Sequence, residues 1–559
     1  MKVVIIGGVA TGPKSAARLR RIQPEAEITV VEEGELISYG GCGLPLYLSN
    51  LVPQLDDLRT TAFGLLRDPL YFREHKDIEI LNHTRALAIE REKKEVLIKD
   101  LVTGQERRLP YDVLVLATGT RPVLPPLPGR DLRGVSVLHH PEDARQLKDG
   151  LRQRNVRRAT VIGAGLIGLE AADALAAQRI QVSVCELQGQ VLAKVFDRDI
   201  AKLLEFHMVR RGIDLRLNCR VLALEGDEHG NICAVLTDQG RIETELVILA
   251  TGVMPRVELA REAGLSLGVT GAIQVDSRQR TSDPWIYAGG DCVEQKHLLS
   301  GKAVYVPLAS TGNKQGRIIA DQIAGLEAVF QGVLGTSVLQ AFEWNMGRTG
   351  LGEEEAKDSG FEIITGLING HDATHYHPFH ASLTLKLVAD RSGRLLGAQV
   401  LGPGEGIKRL DVLTTLIQFG GSLEDVMGLD LGYAPPFATA MDVVIHAANT
   451  LENKRRKRVS GIQAQELRQR LGAEKGICLL DVREREEVEN LPIKIQGVLW
   501  IPLGELRQRW REIPADAEVV AVCERGIRGY EAACFLQGQG FSEPAYLEGG
   551  MAVWAAYQE

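Results

Sequence analysis

Two cysteines stand in sequence surroundings suited to sulfur chemistry. The first, Cys42, lies in the tract Ser38-Tyr39-Gly40-Gly41-Cys42-Gly43-Leu44-Pro45-Leu46-Tyr47. Because glycine leaves the backbone bare, a bulky planar group can approach this thiol closely. We therefore expect Cys42 to take electrons from such a group and to pass them to sulfur. For a lone cysteine, the alternative is a small buried hydrophobic residue in a glycine-rich turn.

The second cysteine, Cys523, follows an apolar strand predicted at 519–522. It opens the loop Cys523-Glu524-Arg525-Gly526-Ile527-Arg528, and a helix is expected from about residue 529. Backbone N–H groups, the positive end of that helix and the cation of Arg528 together stabilise a thiolate and hold an anionic sulfur. Glu524 adds a negative charge, which predicts that thiosulfate is a poor donor.

The chain begins with a strand-turn-helix-strand pattern. The apolar run at 3–6 leads into a turn from Gly7 to Gly12, a helix at 15–22 and a second strand that ends at Glu32. This arrangement places a pyrophosphate on a helix N-terminus and an acid on a ribose. Val9 occupies the middle glycine position, so an ordinary strand-turn-helix is the alternative.

Two later segments support a dinucleotide site there. Residues 111–120 (YDVLVLATGT) form a buried strand ending with Thr118 and Gly119, and residues 281–291 (TSDPWIYAGGD) end at Asp291. Both look like the strands of flavin enzymes whose ends close over FAD, with the aspartate reaching the ribityl chain. FAD is therefore the predicted cofactor.

Between these segments lies a complete second glycine fingerprint. A strand at 159–162 precedes Gly163, Gly165 and Gly168, and Glu186 stands 23 residues after Gly163. The glycines make the turn, admit the pyrophosphate and let the helix pack on the strand. Glu186 is expected to bind a ribose 2′-hydroxyl and to repel a 2′-phosphate, which favours NADH among the NAD(P)H cofactors. The run LVILATG at 246–252 repeats the Ala-Thr-Gly strand end.

One dinucleotide fold inserted within another resembles the pyridine nucleotide-disulfide oxidoreductases, over about residues 1 to 450. Typical members carry a C-x4-C redox pair, but Tyr47 stands five positions after Cys42. A single cysteine resembles the branch with coenzyme A disulfide reductase, coenzyme A persulfide or polysulfide reductases and NADH oxidase. That branch usually has Asn before the cysteine. Gly41 replaces it here, which leaves the substrate preference open.

The resemblance implies a coenzyme A site. Arg18 and Arg21 match basic residues that approach the nucleotide end, and Ser38 matches a residue beside the pantetheine thiol. The alternative for the two arginines is a solvated helix face.

The resemblance also implies a homodimer with a shared active site. The tract Gly432-Tyr433-Ala434-Pro435-Pro436-Phe437 is characteristic of the family's dimerisation domain. Tyr433 is expected to reach Cys42 of the partner subunit as an acid or hydrogen-bond donor. Tyr376, in His375-Tyr376-His377-Pro378, is the candidate for a second such tyrosine. For each tyrosine the alternative is a buried structural role.

The last hundred residues resemble a rhodanese domain, because the six-residue C-x4-R loop and the tract 546–550 (YLEGG) match sulfurtransferases. A catalytically idle rhodanese domain is the alternative. The basic run at 454–458 before it is expected to be an exposed linker, with a nuclear-import signal as the weaker alternative.

The predicted fold class is α/β, with two nested dinucleotide-binding (FAD and NAD) domains, an α+β dimerisation domain and a C-terminal rhodanese-like α/β domain. The predicted boundaries are 1–150 and 271–325 for the FAD domain, 151–270 for the NAD domain, 326–450 for dimerisation, 451–462 for the linker and 463–559 for the rhodanese domain.

Composition excludes several other classes. The 559 residues carry a net charge of -8, which does not favour nucleic acid, and no apolar run reaches the roughly 18 residues that span a bilayer. We expect a cytoplasmic protein. The eight cysteines are scattered without a C-x-x-C pair, and the histidines at 371, 375, 377 and 380 fit no common zinc spacing, so no metal is expected.

These patterns together predict an FAD-dependent NAD(P)H reductase of persulfides or polysulfides, including coenzyme A persulfide or coenzyme A disulfide. Cys42 is the redox thiol and Cys523 relays sulfane sulfur. One alternative is an NADH oxidase that uses oxygen through a Cys42 sulfenic acid. A persulfide-binding redox sensor is the other.

Overall fold

The computed structural model describes residues 1–473 and 476–558. The strands are β1 (Lys2–Ile6), β2 (Glu27–Val31), β3 (Glu79–Leu81), β4 (Thr84–Glu90), β5 (Glu95–Asp100), β6 (Glu106–Pro110), β7 (Val113–Leu116), β8 (Thr120–Pro122), β9 (Val135–Ser136), β10 (Arg158–Ile162), β11 (Gln181–Cys185), β12 (Asp214–Arg216), β13 (Val221–Gly226), β14 (Ile232–Thr237), β15 (Gly240–Glu243), β16 (Leu246–Leu249), β17 (Val253–Pro255), β18 (Ile286–Ala288), β19 (Gln295–Lys296), β20 (Ala303–Val304), β21 (Ser337–Ala341), β22 (Trp344–Gly350), β23 (Ile363–His371), β24 (Ser382–Asp390), β25 (Leu395–Gly402), β26 (Ser460–Ile462), β27 (Ile477–Asp481), β28 (Leu499–Trp500), β29 (Glu518–Val522) and β30 (Ala545–Leu547).

The α-helices are α1 (Thr11–Ile22), α2 (Leu44–Leu48), α3 (Pro69–Lys76), α4 (Pro141–Arg154), α5 (Leu166–Ala176), α6 (Arg198–Arg210), α7 (Glu258–Glu262), α8 (Ala309–Ile323), α9 (Glu353–Asp358), α10 (Arg409–Gln418), α11 (Leu423–Met427), α12 (Val443–Arg455), α13 (Ala464–Ala473), α14 (Arg485–Asn490), α15 (Leu503–Arg509), α16 (Ile527–Gly538) and α17 (Met551–Trp554). The described residues form two compact units, one of residues 1–189 and 212–333 and the other of residues 190–211 and 334–559.

The first unit contains two five-stranded parallel sheets, in the orders β18-β7-β1-β2-β3 and β12-β11-β10-β16-β9. Strand β1 is buried on both faces, as a continuous apolar run predicts for a parallel strand. Val3 and Ile5 pack with Leu19 of α1, whereas Val4 and Ile6 pack on the opposite face of the sheet. Hydrophobic side chains therefore cover both faces of the first sheet, and each sheet carries a glycine loop after its central strand.

The second unit contains an antiparallel sheet in the order β21-β22-β25-β24-β23. Its central part buries the ammonium of Lys386, which lies 2.7 Å from Asp199, 3.0 Å from Asp197 and 2.6 Å from Glu353. A buried cation is tolerated only when it is paired in this way. The carboxylates at 197 and 199 explain why residues 190–211, which the sequence places inside the NAD domain, belong to this unit.

The rhodanese-like part of the second unit is a parallel sheet in the order β26-β30-β29-β27-β28. The basic run before it is not free chain, because Lys454 and Arg455 form the last turn of α12 and Arg456 pairs with Glu452. The expected linker is thus shorter than the sequence suggests. The predicted α/β fold class, with its nested dinucleotide folds, is confirmed. Residues 474, 475 and 559 of the predicted rhodanese domain lie outside the described residues.

Candidate active site

Cys42 lies on a short 3₁₀ turn, Gly41–Gly43, that continues directly into α2. Its thiol is exposed and free of any disulfide. A Cβ at residue 43 would stand 2.4 Å from Leu58 Cδ2, so Gly43 lets the Leu58 side chain pack directly against the turn. Gly40 donates its N–H to the carbonyl of Leu58 at 2.8 Å, which ties the turn down. The sequence tract therefore presents a thiol on a fixed, bare backbone.

Tyr47, at the position of the usual second cysteine, is held by a buried lysine. The ammonium of Lys148 lies 3.8 Å from the centre of the Tyr47 ring. It donates to the carbonyls of Tyr47 at 3.0 Å and Pro53 at 3.3 Å. Burial lowers the pKa of Lys148. Polar and cation–π contacts thus fasten α2 to α4.

Two carboxyl groups set the electrostatics of the thiol. Partial desolvation raises the pKa of Cys42, and the charges of Glu170 and Asp291 raise it further. Burial raises the pKa of Glu170 to about 7 and that of Asp291 to about 6. Sequence reasoning missed Glu170. The available signal was a single carboxylate just after Gly168 in the otherwise apolar start of α5.

The first glycine loop has the geometry of a dinucleotide site. Glu32, at the end of β2, accepts the backbone N–H of Gly8 at 2.6 Å and that of Gly34 at 2.8 Å. A Cβ at Gly12 would stand 1.9 Å from the carbonyl of Gly7, so only glycine lets α1 pack this closely. The predicted residues Gly7, Gly12 and Glu32 are brought together at one strand end.

The second loop repeats these contacts residue for residue. Glu186 accepts the N–H of Ala164 at 2.7 Å and that of Gln188 at 2.8 Å. A Cβ at Gly168 would stand 2.0 Å from the carbonyl of Gly163, whereas a Cβ at Gly165 would meet no atom within 4 Å. That open space is where a pyrophosphate can approach the backbone.

The Ala-Thr-Gly strand ends lie directly against the two loops. A Cβ at Gly7 would stand 2.0 Å from the carbonyl of Ala117, and one at Gly163 would stand 2.4 Å from that of Ala250. Thr118 donates its hydroxyl to the carbonyl of Arg256 at 2.7 Å. Gly119 adopts a positive φ of 66° with open space around it. Each loop is therefore closed by its own strand end.

Polar atoms around Asp291 fit the cofactor that the sequence predicts. Its carboxyl receives no hydrogen bond from any residue that the structure describes, and its raised pKa reflects burial alone. Beside it, Gly290 donates to Gln315 Oε1 at 2.7 Å, while Gln315 Nε2 is buried without a partner among the described residues. A ligand with hydroxyl groups would satisfy these atoms. The residues present therefore fit FAD.

The three residues predicted to bind coenzyme A do not all lie together. Ser38 is buried with a positive φ of 51° and donates its N–H to the carbonyl of Gly8 at 2.8 Å. Arg18 uses its Nε in an ion pair with Asp321 at 2.7 Å. Arg21 is exposed in the last turn of α1. Ser38 therefore stands at the first glycine loop, and the arginines lie along α1.

The two predicted tyrosines meet in the second unit. Loop 372–381, which carries Tyr376, is fixed when Thr374 donates its N–H and its hydroxyl to the carbonyl of Pro435, at 3.2 and 3.1 Å. The side chain of Tyr376 lies near that of Tyr433, and this interaction raises the pKa of Tyr433. Their side chains are 65% and 50% exposed, on a surface with exposed Phe379. This surface fits an interface with a partner subunit.

Cys523 lies where the sequence predicts, between β29 and α16. It is buried, and Gly526 donates its N–H to the sulfur at 3.0 Å. A Cβ at Gly550 would stand 2.4 Å from the carbonyl of Cys523, so this glycine permits the close approach of the C-terminal turn. The loop therefore encloses the thiol, and at least one backbone N–H group donates a hydrogen bond to its sulfur.

The cation expected beside Cys523 is also paired with a carboxylate. Arg528 forms a two-point ion pair with Glu487, with N–O distances of 2.7 and 2.5 Å. This pairing lowers the pKa of Glu487. Glu524 is half-buried, and burial raises its pKa. Sequence reasoning missed Glu487, because its position 41 residues before Arg528 gives no local signal.

Two parallel sheets with an acid on each glycine loop define a protein with two dinucleotide sites, and comparison with known proteins identifies its family. The model described as pyridine nucleotide-disulphide oxidoreductase matches residues 1–316, and the dimerisation domain of that family matches residues 338–444. A rhodanese-like domain matches residues 463–557. The chain belongs to the pyridine nucleotide-disulphide oxidoreductase family, which confirms the predicted resemblance.

Several known proteins are similar to this chain over most of its length. The structure of an NAD-dependent persulfide reductase from A. fulgidus is 42% identical, covers 99% of this chain and 100% of its own, and has a TM-score of 0.94. Reduced Bacillus anthracis CoADR-RHD is 34% identical over 99% of this chain and 98% of its own, with a TM-score of 0.91. An NAD(P)H sulfur oxidoreductase (CoA-dependent) of Pyrococcus furiosus is 37% identical over 81% of this chain and 99% of its own length.

None of the helices in the described part of the chain combines the length and apolar character needed to cross a membrane. Among residues 1–473 and 476–558, no three His, Cys, Asp or Glu side chains converge so as to hold a metal ion.

Proposed function

We propose that the protein is an FAD-dependent NAD(P)H reductase of coenzyme A persulfide and related polysulfides, acting as a homodimer. The observation that carries this proposal is the single exposed thiol of Cys42, with Tyr47 in place of a second cysteine. Such a thiol has no neighbour with which to form an internal disulfide and reacts with an external sulfur compound. The names of the relatives, a persulfide reductase and a CoA-dependent sulfur oxidoreductase, support this substrate class.

The cofactor residues follow from the two loops. Gly7, Gly12 and Glu32 would hold FAD together with the strand ends at Thr118, Gly119 and Asp291. FAD, when bound, would accept a hydride and deliver two electrons to sulfur. The second loop and Glu186 would hold the nicotinamide dinucleotide, and the carboxylate of Glu186 favours NADH because it repels a 2′-phosphate.

The chain's own residues perform the sulfur exchange. The thiolate of Cys42 attacks the outer sulfur of coenzyme A persulfide, forming a Cys42 persulfide and releasing the coenzyme A thiolate. Tyr433 of the partner subunit, with Tyr376 beside it, donates a proton to the departing sulfur. Ser38 lies beside the reacting end of coenzyme A, and Arg18 and Arg21 attract its nucleotide end.

Cys523 supplies sulfane sulfur to this site. Its thiolate takes the outer sulfur of a donor, which leaves as a thiolate, and Cys523 becomes a persulfide. Coenzyme A thiol or Cys42 then attacks the outer sulfur and releases the Cys523 thiolate. Fusion of the two domains in one chain raises the effective concentration of donor and acceptor.

Stopped-flow NADH oxidation tests the proposal, with coenzyme A persulfide, coenzyme A disulfide, polysulfide and oxygen compared in parallel. We expect continuous anaerobic turnover with sulfide release. Turnover only with oxygen would establish an NADH oxidase instead. Oxidation of about one NADH per flavin followed by arrest would establish a sensor. A Cys523→Ser enzyme that keeps full polysulfide activity would overturn the relay.

A further inference from the structure

One edge of the antiparallel sheet is covered by contacts with the rhodanese-like part of the same unit. Strand β23 is one of the two edge strands of this sheet. Glu548, which is buried, accepts the N–H of Leu367 from that strand at 3.2 Å. Lys454 donates to the carbonyl of Thr365 at 2.9 Å and to Glu548 at 2.7 Å. Edge strands carry unpaired backbone groups, and these contacts satisfy two of them.

Arg525, in the loop of Cys523, makes a further contact with the same strand. Its Nη1 donates to the carbonyl of Gly370, near the end of β23, at 3.2 Å. Arg525 thus donates to a backbone carbonyl and not to a carboxylate. The geometry of this hydrogen bond therefore depends on the position of the loop Cys523–Arg528 relative to β23. Next along the strand is His371. Burial, and then the charge of Arg525, lowers the pKa of His371 to about 4, so this imidazole is neutral at neutral pH.

Strand β23, to which Arg525 is hydrogen bonded, leads directly to loop 372–381. After His371 the chain enters loop 372–381, where Tyr376 meets Tyr433. One strand end therefore connects the rhodanese loop at Gly370 with the loop that carries the proposed proton donor. No sequence motif predicts this connection, because Arg525 and Gly370 are 155 residues apart.

We propose that Arg525 is a positioning residue for sulfur transfer from Cys523. It fixes the loop Cys523–Arg528 against the end of β23, so that the persulfide on Cys523 faces an acceptor thiol arriving there. In the step it assists, the acceptor thiolate forms a bond to the outer sulfur, the Cys523 sulfur–sulfur bond breaks, and Cys523 leaves as a thiolate. No net oxidation occurs. This inference rests on the proposed function.

The test is single-turnover transfer from the preloaded holoenzyme. Cys523 is loaded with sulfane sulfur, the donor is removed, and the sulfur is withdrawn either by coenzyme A thiol or by cyanide. Cyanide is small and diffuses freely, so it needs no positioned approach. In Arg525→Met we expect transfer to coenzyme A to slow by about tenfold or more, as misplaced reactants do, while cyanolysis changes by less than about twofold.

Matched variants separate positioning from general damage. Arg525→Lys keeps a cationic donor and should restore part of the transfer rate. Arg507→Met removes an arginine that stacks on Phe535 at 5.5 Å and should behave as wild type. Equal transfer rates in Arg525→Met and wild type, or equal slowing with cyanide and coenzyme A, would overturn the inference. NADH oxidation with coenzyme A persulfide supplied directly tests the proposed function separately.

Discussion

At the scale of single residues, the chemistry of Cys42 depends on which carboxylates face it. Glu170 and Asp291 both have raised pKa values, about 7 and about 6, so both change charge near neutral pH. An ionised carboxylate opposes formation of a nearby thiolate. The same carboxyl groups, when protonated, can donate a proton. The pKa of the Cys42 thiol thus depends on residues that are distant from it in sequence.

Replacing Glu170 by Gln should make the thiol of Cys42 more acidic. Glu170 has a pKa of about 7, so above pH 7 it is mostly ionised and raises the pKa of Cys42. Its neutral isostere should lower that pKa by up to about one pH unit. The pH dependence of Cys42 alkylation, followed by mass spectrometry of its peptide, measures this. The exposed Glu262→Gln is the control, and an unchanged alkylation profile in Glu170→Gln would contradict the account.

Replacing Glu487 by Gln should release the cation of Arg528. The two-point pair offsets the charge of that guanidinium, so we expect an anionic donor such as thiosulfate to gain little from it. Without the pair, the rate of thiosulfate sulfurtransfer should rise by about fivefold, equivalent to about 1 kcal/mol of recovered charge interaction. Thiocyanate formation measures the rate, and the exposed Glu531→Gln is the matched control. A lower rate in Glu487→Gln would show that the pair supports catalysis.

At the scale of elements, the sequence predicts the glycine loops well, but it does not predict the ion pairs between elements that are distant in the chain. Glycine spacing, a preceding apolar run and an acid about 20 residues later are local signals of one physical constraint, the close packing of helix on strand. The contacts at 1.9 and 2.0 Å from hypothetical Cβ atoms at Gly12 and Gly168 show that constraint directly. The pairs Glu487–Arg528 and Glu548–Lys454 have no such local signal, because they arise only when distant elements pack.

Removal of the Glu548 carboxylate should loosen the covered edge of β23. Glu548→Ala leaves the Leu367 N–H and the ammonium of Lys454 without this partner, which should destabilise the rhodanese-like part by about 1–3 kcal/mol. Urea unfolding and limited proteolysis near residues 456–460 measure the effect. Glu489→Ala, on an exposed face of α14, should be within about 0.5 kcal/mol of wild type. Equal stability of the two variants would contradict the assigned role of Glu548.

At the scale of the whole molecule, the proposed active site requires two subunits. A dimerisation domain of the family spans residues 338–444, and the paired tyrosines lie on an exposed aromatic surface within it. A homodimer with twofold symmetry forms two equivalent sites, each with Cys42 from one chain and Tyr433 from the other. The substrate preference stays outside the reach of sequence patterns, because Gly41 replaces the usual side chain before the cysteine.

Mixed dimers test this shared site. Cys42→Ser and Tyr433→Phe homodimers should each be impaired, the latter by about tenfold or more in kcat because a proton donor is lost. A heterodimer of the two variants contains one intact site if Tyr433 acts across the interface, and should recover about half of the wild-type activity. Differently tagged chains allow its purification. If Tyr433 acts within its own chain, the heterodimer will have no intact site and will stay impaired.

The central claim is that one thiol, Cys42, carries electrons from NADH to bound sulfur. Its most direct test is the anaerobic stoichiometry of coenzyme A persulfide reduction, with NADH and sulfide measured together in wild type and Cys42→Ser, both saturated with FAD. The balanced reaction consumes coenzyme A persulfide, NADH and a proton, and yields coenzyme A, hydrogen sulfide and NAD⁺. We expect one sulfide per NADH in the wild type, and in Cys42→Ser a yellow enzyme without sustained turnover. Sustained sulfide release by Cys42→Ser would contradict the account.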